Sequence, residues 1–270
     1  REQMPLAETP HGSLHYEIID QVAPWIVDRE TILFHHGIGG CPGMWSGWLP
    51  ALIDRYRIVM WDMRGYSRSV TTGFRWSLDL LVSDVLAVAD AAGTDRFHLV
   101  GESIGGTVAL AAAASRPGRV ATLTISNGAH LGASIQRVEA WRQQLDESGS
   151  KGWSDAFMQD RFHDRSLSRE RWAWFAEQQA KWPRESILRA LGVLVGTDLS
   201  DRLGAIRCPT LLLHPDGSPF IPVPIMAELH RLLPTSQLHV VGHARHGLPF
   251  SHDRLCARRL RSFLDSQAAG

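Results

Sequence analysis

FHLVGESIGGTVALAAAAS, residues 97–115, decides the fold. An apolar run ends at Gly101, Ser103 follows two residues later, and an alanine-rich run begins at once. The first part reads as a buried strand over 97–103 and the second as a short helix over 104–115, packed tightly against a sheet. A strand that gives way to a helix at Ser103 leaves that side chain at the tip of a sharp turn. Gly101 and Gly105 flank it, so the backbone passes close by without a Cβ in the way. A helix beginning at Ile104 offers unpaired N–H groups and the positive end of its dipole to a developing oxyanion. A bare G-x-S-x-G arises by chance in many chains; placed between strand and helix it marks Ser103 as a candidate nucleophile.

Outward from this turn, apolar runs alternate with helical patterns. TILFHHG (31–37), YRIVMWDMRG (56–65), VATLTISN (120–127), PTLLLHP (209–215) and QLHVVGHA (237–244) read as further strands, and SLHYEIID (13–20) as an antiparallel one that precedes them. Runs this apolar suit strands covered on both faces, and the alternation predicts an α/β fold with a mostly parallel central sheet flanked by helices. Residues 77–92 predict a helix with Ser77 as N-cap and Gly93 at its end, and residues 252–266 a closing helix. From about 129 to 200 the alternation breaks. This stretch is polar and helical in pattern, carries five of the ten tryptophans (Trp141, Trp153, Trp172, Trp174, Trp182), and has Pro183 as a break. The strand pattern resumes at 209, so the expected organisation is a core of residues 1–128 and 201–270 with an inserted helical cap, or lid, of residues 129–200. The plainer reading of the tryptophans is a helix–helix core.

The 270 residues hold 28 basic and 28 acidic side chains and 44% hydrophobic residues, a composition one large α/β domain can fill. The balance gives no reason to expect nucleic acid or an anionic membrane as a partner. Three dispersed cysteines, Cys41, Cys208 and Cys256, fit neither a disulfide framework nor a cysteine metal site. No apolar run approaches the roughly 20 residues of a membrane span, and REQMPLAETP at the start lacks the apolar centre of a signal peptide. A cytoplasmic protein is the expectation.

The base that serves Ser103 belongs after the last strand, where GHARHGLPF offers His243 and His246. His246, followed by Gly247 and the closing helix, fits the loop position better and is taken as the general base. The glycine-bearing loop His35–Gly40 can bring a second backbone donor to the same oxygen, so the Ile38 and Ile104 N–H groups form the expected oxyanion hole. His36 is read as a brace for that loop.

In HHGIGG (35–40), WDMRGYSRS (61–69), GESIGG (101–106), PTLLLHPDGSPFIPV (209–223) and ARHGLPF (244–250), order and spacing resemble the α/β-hydrolase superfamily over nearly the whole chain. SNGAHLG (126–132), with Trp141 shortly after, is similar to a segment of the 3-oxoadipate enol-lactonase-like branch. The resemblance implies hydrolysis of a small-molecule ester or lactone without metal or organic cofactor. The family's third triad position falls on Ser218 here, and a serine cannot stabilise an imidazolium as a carboxylate does. Asp216 is the nearest carboxylate and is taken as the acid; the alternatives are no conventional acid or another carboxylate, and Asn127 occupies the other place where the superfamily puts it. Arg137, Arg142, Arg161, Arg165 and Arg169 of the cap could recognise a substrate carboxylate, although each alone reads as a solvated helix face. Amide or formamide hydrolysis, carbon–carbon bond hydrolysis and a non-catalytic binding protein are the rival functions.

Overall fold

The computed structural model describes residues 5–69 and 71–268; Arg1–Met4 and the expected outer boundaries at residues 1 and 270 lie outside them. Eight strands form one sheet: β1 (Leu6–Thr9), β2 (Gly12–Ile19), β3 (Thr31–His35), β4 (Arg57–Trp61), β5 (Phe97–Glu102), β6 (Val120–Ser126), β7 (Thr210–Pro215) and β8 (Ser236–Val241). Their order is β1-β2-β4-β3-β5-β6-β7-β8. The β1–β2 and β2–β4 pairs are antiparallel and the rest parallel. This is the α/β-hydrolase arrangement that the sequence resembles.

Alternation along the central strands feeds two apolar layers, one on each face of the sheet. Ile32 and Phe34 of β3 join Leu211 and Leu213 of β7 in one cluster, while Leu33 and Leu212 join the other. Helices close both layers: α1 (Leu78–Ala91), α2 (Ile104–Ser115), α6 (Val223–Leu232), a single turn α7 (Leu248–Ser251) and α8 (Asp253–Ala268). Ser77 caps α1 as expected, its Oγ accepting the Leu80 N–H at 3.1 Å. Every residue of α2 from Ile104 to Ala113 is buried, which its small side chains permit.

Between β6 and β7 the chain builds α3 (Val138–Arg161), α4 (Arg169–Ala180) and α5 (Arg184–Val195). Gly149, at φ +63 and ψ −168, kinks α3 in the middle. Pro183 stands at the N-cap of α5, after the break it was expected to mark. Three of the five tryptophans here are buried, and they do two things. Trp141 and Trp153 meet edge to face at 5.0 Å within the segment, whereas Trp182 stacks on Tyr66 at 4.5 Å and donates its Nε1–H to the Gly40 carbonyl at 2.9 Å. Among the described residues, no helix is long and apolar enough to cross a membrane.

Candidate active site

The register of β3, β5 and β6 pairs His35 with Gly101 and Glu102 with Ser126, so these strands end at one level. Ser103 follows with φ +55 and ψ −124, a conformation that costs a non-glycine residue about 1–3 kcal/mol and persists only where neighbours impose it. The imposition is steric. A Cβ on Gly101 would lie 2.3 Å from the Gly105 carbonyl oxygen, and one on Gly105 would lie 2.4 Å from that of His35. The turn therefore closes as tightly as backbone allows, and α2 starts under the serine. As the first residue of α2, Ile104 has no intrahelical acceptor for its N–H. The Ile38 N–H likewise finds no acceptor among the described residues.

Ser103, Ile38 and His246 line one cavity, whose other walls include Ile135, Val138, Trp141, Leu191, Leu194 and Phe220. Its volume is about 20 Å³, room for little more than one water. Ser103 and His246 face it without a hydrogen bond between them, a spacing that catalytic pairs often show before substrate tightens them.

His246 is held through its backbone. Its N–H and that of Gly247 donate to the Asp160 and Arg161 carbonyls, at 3.4 and 2.9 Å, satisfying the open end of α3. Its own carbonyl accepts from Asn127 Nδ2 at 3.0 Å. Asn127 thus orients the loop and not the ring. Burial first, then Arg161 and His214, hold the imidazole well below its ordinary range, so the ring is neutral and able to accept a proton.

The third member differs from expectation. Ser218 Oγ, not Asp216, stands 3.2 Å from His246 Nδ1. The Asp216 carboxylate accepts the N–H groups of His243 and Ala244, at 2.9 and 3.0 Å. It is a turn brace at the exit of β8, and those two bonds hold its pKa down despite some burial. Ser218 Oγ also accepts the Ile221 N–H at 3.3 Å. With Nδ1–H as donor, both lone pairs of the hydroxyl are engaged and Nε2 is left bare.

Of two buried charged residues at the site, one went unrecognised in the sequence and the other was read as a solvated face. Glu102 is 1% exposed; burial, opposed by Arg161 and the Gly37 N–H, pushes its carboxyl up to about 7. Arg161, expected on a solvated face, is equally buried. Its NH2 donates to the Ile38 carbonyl at 2.6 Å, its Nε to Gln179, and its NH1 lies 4.0 Å from Glu102. The signal for Glu102 was its place, a charge between an apolar strand and a glycine-flanked turn. Of the other arginines, Arg137 borders the cavity while paired with Asp160 at 3.1 Å, and Arg142 pairs with Glu139 in solvent. His36 braces its loop: Nε2 accepts the Met63 N–H at 3.0 Å and Nδ1 faces the Gly37 carbonyl at 2.9 Å. His243 stacks on His163 at 4.3 Å, away from the cavity. Among the described residues, no group of three or more His, Cys, Asp or Glu is placed to hold a metal ion.

A family profile described as alpha/beta hydrolase fold matches residues 30–253, which span the elbow, the cavity and His246. The chain belongs to the α/β hydrolase family. Within that family it is 30% identical over 270 residues to a Variovorax paradoxus protein named as the carbamate hydrolase RutD, covering 93% of this chain and 96% of that one. Solved α/β hydrolases superpose closely. The Burkholderia xenovorans enol-lactonase gives a TM-score of 0.86 at 21% identity, with 97% of this chain and 100% of that one covered. A meta-cleavage product hydrolase from Pseudomonas fluorescens gives 0.82 at 19%, covering 99% and 98%. At these identities the structural likeness is one of fold.

Proposed function

We propose that this α/β hydrolase cleaves a carboxylic ester or lactone through an acyl-enzyme on Ser103, with His246 as general base. One observation carries the reading: Ser103 is held at a strained elbow and faces the same small apolar cavity as the His246 ring and Ile38. His246 Nε2 takes the Ser103 proton as Oγ attacks the carbonyl carbon. The Ile38 and Ile104 N–H groups receive the oxyanion, a contribution of about 3–4 kcal/mol per donor in comparable sites. Collapse expels the alcohol or enolate with the proton from Nε2, and water activated by the same ring releases the acid. The apolar walls suit an acyl group or ring without charge at its centre. Residues 129–200 act as a cap over this cavity, and substrate enters by displacing it, since about 20 Å³ holds no ester.

A second reading, attack on an amide or carbamate carbonyl, draws support from the relative named RutD, and the chemistry of Ser103 would be the same. The test is hydrolysis of a panel of p-nitrophenyl esters, lactones, carbamates and amides by wild type and Ser103→Ala, together with labelling by a fluorophosphonate. Loss of about 10³-fold or more in kcat, with unchanged folding, is expected for Ser103→Ala. Wild-type turnover in that variant would overturn the nucleophile. The preferred leaving group in the panel then separates ester or lactone from carbamate.

A further inference from the structure

The mechanism above leaves Glu102 without a task, although among the described residues it is the carboxylate found within 4 Å of the His246 ring. Its Oε2 accepts the Gly37 N–H at 2.8 Å and so pegs the oxyanion loop. Its Oε1 is buried with no hydrogen-bond partner. That oxygen stands 3.9 Å from His246 Nε2 and 4.0 Å from Arg161 NH1. A buried carboxylate oxygen without a donor is expensive, and native structures keep one only under constraint. A peg for Gly37 needs one acceptor and no charge. The second oxygen is unexplained by that role.

The opposite edge of the ring poses the complementary problem. Nδ1 faces the Ser218 hydroxyl, so the imidazolium formed when Nε2 takes a proton meets no anion there. We propose that Glu102 is the charge partner of His246, a positioning residue that supplies from the Nε2 edge what Ser218 cannot supply from the Nδ1 edge. The proposal rests on the reading of Ser103 as nucleophile and His246 as base. In the step concerned, the Ser103 O–H bond breaks and its electron pair forms the bond from Oγ to the carbonyl carbon. The proton passes to Nε2, and the ring gains its positive charge beside Oε1.

The groups around Glu102 leave this role open. From α3 comes Arg161, whose Nε and NH2 are committed to Gln179 and to the Ile38 carbonyl, leaving only NH1 toward the carboxylate at 4.0 Å. From the loop after β8 comes His246. From the loop after β3 comes only the Gly37 N–H, because the His36 ring is turned to the Gly37 carbonyl and the Met63 N–H. Glu102 is thus shared between a permanent cation and one that appears during turnover.

Glu102→Gln keeps an acceptor for Gly37 and removes the charge; Ser218→Asp places a carboxylate at Nδ1. We would measure p-nitrophenyl acetate hydrolysis from pH 5.5 to 9 with wild type, E102Q, S218D and the double variant. Expected for E102Q is a fall in kcat of about 10- to 100-fold with KM nearly unchanged, and loss of the wild-type rise in kcat through neutral pH. The double variant should regain most of the loss. An E102Q protein with wild-type kcat and pH profile overturns the proposal, and so does a loss that S218D fails to repair, since that marks a merely structural role. If wild type neither turns over the ester nor reacts with a fluorophosphonate, the nucleophile reading has failed instead. The His246 ring then still reports the coupling: its ¹⁵N resonances, assigned with His246→Gln, should step near neutral pH in wild type and not in E102Q. A wild-type ring without that step overturns the proposal independently of turnover.

Discussion

Two turns at the same edge of the sheet, one after β5 and one after β7, present the chain's two site serines, and they are governed by opposite rules. The turn at Ser103 is fixed chiefly by backbone: Gly101 leaves room for no Cβ against the Gly105 carbonyl, and Gly105 for none against the His35 carbonyl of the neighbouring strand, so the side chain has one direction to point. The turn at 216–222 is fixed from outside. Asp216 leaves β7 beside the incoming loop from β8, and the two N–H groups of His243 and Ala244 take both of its oxygens. Ser218, two residues on, is the one that reaches His246. The serine's role at the first turn follows from its neighbours in sequence. At the second it follows from which distant donors need an acceptor.

Breaking each turn should therefore give different results. Gly105→Ala drives a Cβ into the His35 carbonyl and should destabilise the protein by about 3 kcal/mol or more, read by urea unfolding. Glu102→Gln tests the elbow's buried charge. Because the folded-state pKa is raised from 4.5 to about 7, the wild-type carboxyl contributes fully below pH 4.5 and loses that contribution as pH rises to 7. Relative to wild type, the Gln variant should thus gain stability between pH 4.5 and pH 7, by about 3 kcal/mol at most. A gain that does not vary with pH would mean the carboxyl is not buried as described. At the second turn, Ser218→Ala strips Nδ1 of its partner and should lower kcat about tenfold with little change in KM. Asp216→Asn should leave kcat within about twofold and reduce stability by about 1 kcal/mol or less. If instead it falls as far as Ser103→Ala, Asp216 is the acid after all and the two turns follow one rule.

The same division explains how far the sequence could be read. The starts of β3 through β8 and both ends of α1 and α2 fall within one residue of their expected limits, because buried parallel strands and an alanine-rich helix write their environment into consecutive residues. The strand β1 was missed: LAET has no apolar period of its own and forms by pairing with β2. The turn-rich helix Pro42–Ala51, which buries Trp45 and Trp48, was missed for lack of a regular period. Ser103, Ile38 and His246 came together at one cavity as their local motifs suggested. Asp216 did not join them, Glu102 went unnoticed, and Arg161, read as a solvated face, proved buried, because their places depend on contacts across the fold: Arg161 reaches Ile38 from 123 positions away.

That last contact has a consequence for timing. The end of α3 grips both halves of the machinery at once: Arg161 holds the carbonyl of Ile38, and the carbonyls of Asp160 and Arg161 hold the N–H groups of His246 and Gly247. On the proposed roles of Ile38 and His246, any swing of that helix wide enough to admit a substrate would unhook the oxyanion donor and the base in the same movement. Such an enzyme would be disarmed while its door is ajar and rearmed on closing, an interlock in which shutting out bulk water and assembling the reactive groups are a single event.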